Sequence, residues 1–402
     1  MEPVIAVAAF AILIYFPFRR LPLYIGMLLG SVILFLSGGS LTGFDEIVVR
    51  AATNPTTVEL ALAVALISFM CSVMSTAGLM DRMTSGLNSL MRNTKLSLMV
   101  VPALVGGMPM AGGAAMSAPI VESLGNDLKI PKASMSAINL TFRHALYLVM
   151  PFRPQIILAA SMAGVGVTSL ALVNMPAVAV WLLVGYFWLF RLSGPDANDG
   201  QWGDRRKALV EFAVFGSPII ISLVLLLGAR MSLPPSLLAG TLAAVYLARR
   251  EGHLNWSWRH WMGRVDKPLV LTMVCIMIFR EVTTEVTIIR DWLFYLVDMG
   301  IPLWVTAVVI AGSLAYLTGV IHTPIAIVFP VVMPLVEPGL SLAYAAFIYV
   351  ISFVLYFVSP LHLCQILTNQ MVGADLGDVY REYLPVLLPV IGTSFLVFWL
   401  MM

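Results

Sequence analysis

Apolar residues run along this chain in long blocks with no strict alternation, as in Leu60–Met74, Leu172–Phe190, Phe212–Leu227 and Leu384–Met402. A membrane-crossing helix needs about 20 apolar residues, whereas a barrel strand needs about 10 that alternate in polarity. The pattern therefore predicts helices that cross a membrane. Spans are expected at Val4–Phe16, Leu23–Leu36, Val58–Thr76, Met135–Met150 continuing through Gln155–Leu170, and Met175–Leu192. After the polar stretch Ser193–Lys207, further spans are expected at Val210–Leu227, Pro235–Ala248, Pro268–Arg280, Ala343–Val358 continuing into Leu361–Val372, and Leu384–Leu400.

Two apolar segments break the pattern. Leu96–Gly125 contains Val105-Gly106-Gly107-Met108-Pro109-Met110-Ala111-Gly112-Gly113, and Pro302–Pro338 contains Leu317-Thr318-Gly319-Val320-Ile321-His322-Thr323-Pro324. Glycine and proline open helical backbone, which is tolerated at membrane depth only where protein or a watery cavity satisfies it. Each segment is long enough for two half-helices joined by a tip, so both are expected to be re-entrant hairpins. The alternative is a kinked ordinary span.

The two halves correspond. Leu146–Pro151 reads LYLVMP and Leu355–Pro360 reads LYFVSP, 209 residues apart, and Pro119 and Pro330 stand 211 apart. Matches at nearly the same spacing indicate an internal repeat. Five spans and one hairpin per half make an odd number of crossings, so the second half is expected to enter from the opposite side. With an outside N-terminus, 17 of the 23 Lys and Arg fall on the cytoplasmic side, as positive-inside orientation requires. The first apolar segment is followed by Arg19-Arg20 with no small-residue cleavage site, so it reads as a retained span.

The resulting expectation is an all-α polytopic membrane protein of two inverted repeats. Residues 1–192 form the first, with scaffold spans in 4–36 and a transport part in 58–170. Residues 193–208 form a cytoplasmic linker. Residues 209–402 form the second, with scaffold spans in 210–248 and a transport part in 266–372.

Composition agrees with this reading. The chain is 60% hydrophobic and 11% charged, with a mean hydropathy of +0.95. Soluble domains carry about 25% charged residues. A net charge of +2 with no basic block argues against nucleic-acid partners. Cys71, Cys275 and Cys364 lie in apolar segments without metal-ligand spacing and read as small core residues, so no metal or cofactor is expected. Trp256, Trp258 and Trp261, beside His253 and His260, read as an interfacial segment.

The candidate chemistry gathers at four interruptions: the tips Ala111-Gly112-Gly113 and His322-Thr323-Pro324, and the breaks Pro151-Phe152-Arg153-Pro154 and Ser359-Pro360-Leu361-His362. Half-helix N-termini at such breaks suit an anion, and unwound carbonyls suit a coupling cation. Ionisable residues inside spans cost about 2.5–3.5 kcal/mol each on insertion, which makes them functional candidates. Candidate substrate contacts are Ala111, Gly112, Gly113, Ser117, Asn139, Arg143, Arg153, Gln155, His322, Thr323, Ser359, His362 and Gln365. Candidates for the coupling ion, sodium or a proton, are Glu122, His144 and Asn369. The bland alternatives are snorkelling arginines, packed histidines and an interfacial glutamate. HExxH, GxSxG and Walker motifs are absent, so no enzymatic site is expected.

The segments Gly106–Glu122, Asn139–Ala160 and Ser359–Tyr380 resemble a prokaryotic membrane family designated domain of unknown function 401, similar in plan to the ion transporter superfamily. The strongest motifs are Pro-Met-Ala-Gly-Gly, Phe142-Arg143-His144 and Ser359-Pro360-Leu361-His362. The resemblance implies homodimers in which a transport domain moves against a fixed scaffold as an elevator. It supplies no substrate, and the Ser-Asn-Thr motifs of the dicarboxylate branch are not present at these tips. The expected function is ion-coupled secondary transport of a small organic anion across the prokaryotic cytoplasmic membrane. The alternatives are an exporter or flippase of an amphipathic lipid-linked anion, or a non-transporting assembly factor.

Overall fold

The computed structural model describes residues 2–37, 42–91, 93–107, 113–194, 204–252, 263, 265–286, 291, 294–296 and 298–402, and among these it contains helices and no strands. The first half begins with α1 (Glu2–Phe18), α2 (Leu23–Leu36), α3 (Phe44–Thr53), α4 (Pro55–Thr76) and α5 (Leu79–Leu90). It continues with α6 (Thr94–Gly107), α7 (Gly113–Asp127), α8 (Lys132–Ala145), α9 (Pro154–Ala163) and α10 (Val167–Leu189). The second half contains α11 (Arg205–Leu223), α12 (Leu233–Arg250), α13 (Lys267–Glu285), α14 (Leu303–Thr318) and α15 (His322–Val332). It closes with α16 (Ser341–Phe357), α17 (Leu363–Val372) and α18 (Leu376–Met401).

Local chemistry starts and stops these helices. Asn54, Asp204, Asp266 and Asp375 each accept a hydrogen bond from a backbone N–H in the first turn of α4, α11, α13 and α18. Helix α9 stops at Gly164 and α14 at Gly319, both with positive φ. Five stretches are long and apolar enough to cross a membrane: Pro55–Thr76, Val167–Leu189, Arg205–Gly228, Pro338–Phe357 and Leu376–Met401. Leu183 and Phe187 on α10, and Leu388, Trp399 and Leu400 on α18, are exposed without polar cover. The chain is a multi-pass membrane protein.

Both unusual segments are pairs of short helices, α6 with α7 and α14 with α15, each pair packed together. Both interrupted spans are broken where expected. Helix α8 passes through a 3-10 turn at Leu146–Leu148 before α9, and α16 is separated from α17 by Val358–His362. Opened backbone is satisfied by side chains. Thr141 O accepts from Trp181 Nε1 at 3.0 Å, Tyr147 O from the Tyr349 hydroxyl at 2.9 Å and Leu148 O from Asn174 Nδ2 at 3.0 Å. At the second break, Val358 O accepts from the Tyr380 hydroxyl at 2.8 Å.

Packing divides the helices into two groups. In one, α1, α2, α3, α4, α12 and α13 form a continuous layer, and α11 lies along the amphipathic α5. In the other, the two helix pairs surround the broken spans, with α10 and α18 packed outside them. Contacts cross between halves in a reciprocal way. Helix α7 packs on α17 of the second break, and α15 packs on α9 of the first. Ion pairs fix relative directions. Arg50, ahead of α4, meets Glu281 at 3.4 Å and Glu285 at 2.6 Å near the end of α13. Arg191, past α10, meets Glu382 at 3.1 Å near the start of α18. Helices α4 and α13 are therefore antiparallel, and so are α10 and α18.

Two details differ from the sequence expectation. The apolar run Gln155–Leu170 is not one helix: α9 ends at Ala163, the chain turns at Gly164, and α10 begins at Val167. Hydropathy is continuous across that turn, so only the glycines betray it. The amphipathic helices α3 and α5 fall in stretches too polar to have been read as spans. Ala111, Gly112, the Trp256–Trp261 stretch and its two histidines lie outside the described residues.

Candidate functional site

The first break is cationic. Arg143 and His144 occupy the last turn of α8, and Arg153 precedes α9; all three are buried. The Arg153 guanidinium carbon lies 3.4 Å from the centre of the Tyr147 ring, and its Nη1 donates to Gly106 O at 3.2 Å. That carbonyl belongs to the last turn of α6, so the arginine ties the break to its own hairpin. Helices α6 and α8 approach closely there: a β-carbon on Gly106 would overlap the carbonyl oxygen of Arg143. Arg143 takes part in none of the ion pairs among the described residues, and its Nε and Nη1 have no hydrogen-bond partner.

The second break is built from neutral groups. Ser359 Oγ donates to Tyr316 O of α14 at 2.6 Å and accepts from Leu361 N at 3.2 Å. Gln365 accepts from the Tyr383 hydroxyl at 2.6 Å. Asn369 accepts from the Ser136 hydroxyl, and Asn139 Nδ2 donates to Thr368 Oγ1 at 3.1 Å, which joins α8 to α17. Gly319, at φ +63°, presses on the break as well: a β-carbon there would lie 2.7 Å from the Leu361 carbonyl carbon.

The breaks meet at their histidines. The His144 and His362 rings stand edge to face with centres 4.8 Å apart. Tyr147 lies 4.6 Å from His144 and Tyr356 4.3 Å from His362, with Phe353 and Phe357 completing an aromatic wall. Cys364 joins them, and its sulfur and one nitrogen from each ring lie within 4.8 Å of one another. The cysteines read from sequence as core residues therefore divide. Cys71 and Cys275 are buried among apolar side chains, but Cys364 stands among ligating groups. The pair His362-Leu363-Cys364 was the only local signal, and His144 joins it only through the fold.

The other candidates surround this centre or stand apart. His322 and Thr323 form the first turn of α15, with His322 in electrostatic reach of Arg153. His322 Nε2, Thr323 Oγ1 and Gln155 Oε1 are buried with no partner among the described residues. Gly113 begins α7, and Ser117 is buried within it. Glu122 is half-buried farther along α7. A cleft of about 440 Å³ opens toward the Gly164 end of α9, lined by Glu59, Ser161, Gly164, Thr168 and Arg280 among others. It lies where α9 of one packing group faces α4 and α12 of the other. Tyr147, Gly106 and Gly319 were not identified from sequence, because tyrosines and glycines are common in apolar helices and only the close contacts distinguish these.

Among solved structures, the chain is similar to the Alcanivorax borkumensis YdaH transporter, whose crystal structure is described as revealing an unusual topology. The similarity has a TM-score of 0.59 at 14% identity and covers 89% of this chain and 87% of that one, so the two share a fold. No curated protein matches the sequence. A family model described as "Protein of unknown function (DUF401)" matches residues 4–402, and the chain belongs to that family.

Proposed function

We propose that this protein is a secondary active transporter of a small organic anion, driven by sodium or a proton, with no enzymatic activity. The observation that carries the reading is Arg143. A buried guanidinium without a carboxylate partner is costly in a low dielectric, and that cost is offset when an anion binds. The N-termini of α9 and α17, at the two breaks, and of α15, beside Arg153, add partial positive charge. Gln155 Oε1, Thr323 Oγ1 and His322 Nε2, buried with no partner among the described residues, supply further contacts. The shared fold with a transporter supports the class.

In this proposal the halves are inverted repeats. The antiparallel courses of α4 with α13 and of α10 with α18 support it, because each pair holds the same place in its half. The N-terminus is outside, in a prokaryotic cytoplasmic membrane. The cleft beside α9 is lined by helix ends that this topology assigns to the outer side, including Thr56, Gly164, Leu233 and Arg280. The hairpins, broken spans, α10 and α18 move as an elevator against the remaining helices, with homodimerisation through the fixed part. The third spans, α4 and α13, counted with the moving part from sequence, pack on α12 and α2 as well as on α9 and α15, and we assign them to the fixed part. His322 and His362 make proton coupling chemically available.

The test is flux into proteoliposomes across panels of carboxylates, phosphonates and sulfonates. Uptake should require a sodium or proton gradient and vanish in Arg143→Gln. Transport that persists after both gradients are collapsed contradicts the coupled mechanism.

A second reading, export of an amphipathic lipid-linked anion, is favoured by one observation. A wholly apolar groove of about 400 Å³ lies between α1 and α15, lined by Val7, Phe10, Ile14, Ile327 and Val331 among others. Such a groove suits an acyl chain, and substitution of Val331 by Trp should then impair lipid export without affecting a water-soluble anion.

A further inference from the structure

We propose that His144, His362 and Cys364 form a binding site for one thiophilic d10 cation, copper(I) or zinc. Three features carry this. The Cys364 sulfur and one nitrogen of each ring lie within 4.8 Å of one another, although one residue belongs to the first half's broken span and two to the second's. Both imidazoles are fully or almost fully buried and in hydrogen-bonding reach of Cys364, and the Nε2 of each has no other partner among the described residues. Both are also oriented from behind: His144 Nδ1 contacts Leu140 O at 2.8 Å and His362 Nδ1 contacts Phe357 O at 3.2 Å. A carbonyl can only accept, so each Nδ1 carries the proton and each Nε2 presents a lone pair. That is the arrangement metal-bound histidines adopt, with a backbone carbonyl fixing tautomer and ring direction.

Two imidazoles and a thiolate are borderline-soft ligands that select copper and zinc over magnesium or calcium. Bonds of about 2.0 Å to nitrogen and 2.3 Å to sulfur need the three atoms to close in by roughly 1 Å, within reach of small side-chain rotations. Binding replaces the S–H bond of Cys364 with a metal–sulfur bond, and the proton leaves to solvent. The site would then hold a thiolate and a cation. With copper(I) these cancel, whereas zinc leaves one positive charge beside the buried Arg143, which lies in hydrogen-bonding reach of Cys364. Charge therefore ranks copper(I) first. The inference does not depend on transport, because it concerns occupancy in the absence of any solute.

The test uses purified full-length protein, stripped with chelator and then exposed separately to zinc and, under anaerobic reducing conditions, to copper(I). Metal retained through gel filtration is counted per chain. About one equivalent of at least one metal is expected, with a loss on the order of tenfold or more in Cys364→Ser and His362→Gln and none in a Cys71→Ser, Cys275→Ser double variant. Cobalt(II) as a probe should give a near-ultraviolet thiolate charge-transfer band in that double variant, whose only cysteine is Cys364. The band decides the matter should the Cys364 variant fail to fold. Absence of retained copper and zinc, absence of the band, or equal retention by Cys364→Ser would each overturn the proposal. Retention of one metal alone supports the site and ranks the two.

Discussion

The two broken spans share a plan and differ in charge. At the first, Arg143 and Arg153 stand at the interruption, and part of the Arg143 guanidinium has no partner. At the second, Ser359, Gln365, Asn369 and Tyr380 are engaged in hydrogen bonds that hold the break closed. Opening a helix exposes donors and acceptors, and they can either be satisfied internally or kept for a ligand. Apart from His362 Nε2, the second break takes the first course. The first break satisfies its carbonyls but leaves cationic N–H groups available, so the contacts for an anion are concentrated there.

Each prediction probes that division. The largest effect is expected where hairpins press on breaks. Gly106→Ala forces a β-carbon into the Arg143 carbonyl, and Gly319→Ala adds left-handed strain to a clash with Leu361; each should cost about 3 kcal/mol or more in unfolding measurements. Comparable losses at the two sites would show the hairpins to be equivalent supports. Next comes Arg143→Gln, which should weaken anion binding at least tenfold, about 1.4 kcal/mol, without lowering the melting temperature, because it removes an uncompensated buried charge. Tyr383→Phe should do the reverse. It removes the hydroxyl that Gln365 accepts from, costing about 1 kcal/mol of stability while leaving anion affinity intact. Smallest is Arg50→Gln: its ion pairs with the half-buried Glu281 and the exposed Glu285 lie at the surface of the protein, and little or no shift in melting temperature is expected.

Much of the architecture was legible in the sequence, and the reasons are physical. Long apolar runs marked the crossing helices, and clusters of Gly and Pro marked both helix pairs and both breaks, because those residues weaken or kink a helix. The α9–α10 turn was hidden because hydropathy does not change through Val165 and Val167. Arg143, Arg153 and the histidines could be nominated as ionisable groups in apolar surroundings. What sequence could not supply was which polar groups are already engaged. Ser359, Gln365 and Asn369 looked as available as Gln155 and Thr323, and only the packing of α14, α18 and α8 against the second break separates them. Cys364 packs against the core as expected, but its neighbour His144 lies in the other half, so their proximity could not be read from the sequence.

The most direct test of the central claim is a thermal-stability titration of wild-type and Arg143→Gln protein with small carboxylates, phosphonates and sulfonates. A ligand that binds only the folded state raises its stability with concentration. The wild-type midpoint should climb with at least one of these anions while the variant, starting no lower, stays flat. An equal climb in both proteins would mean that the buried charge at the first break is not there to receive an anion.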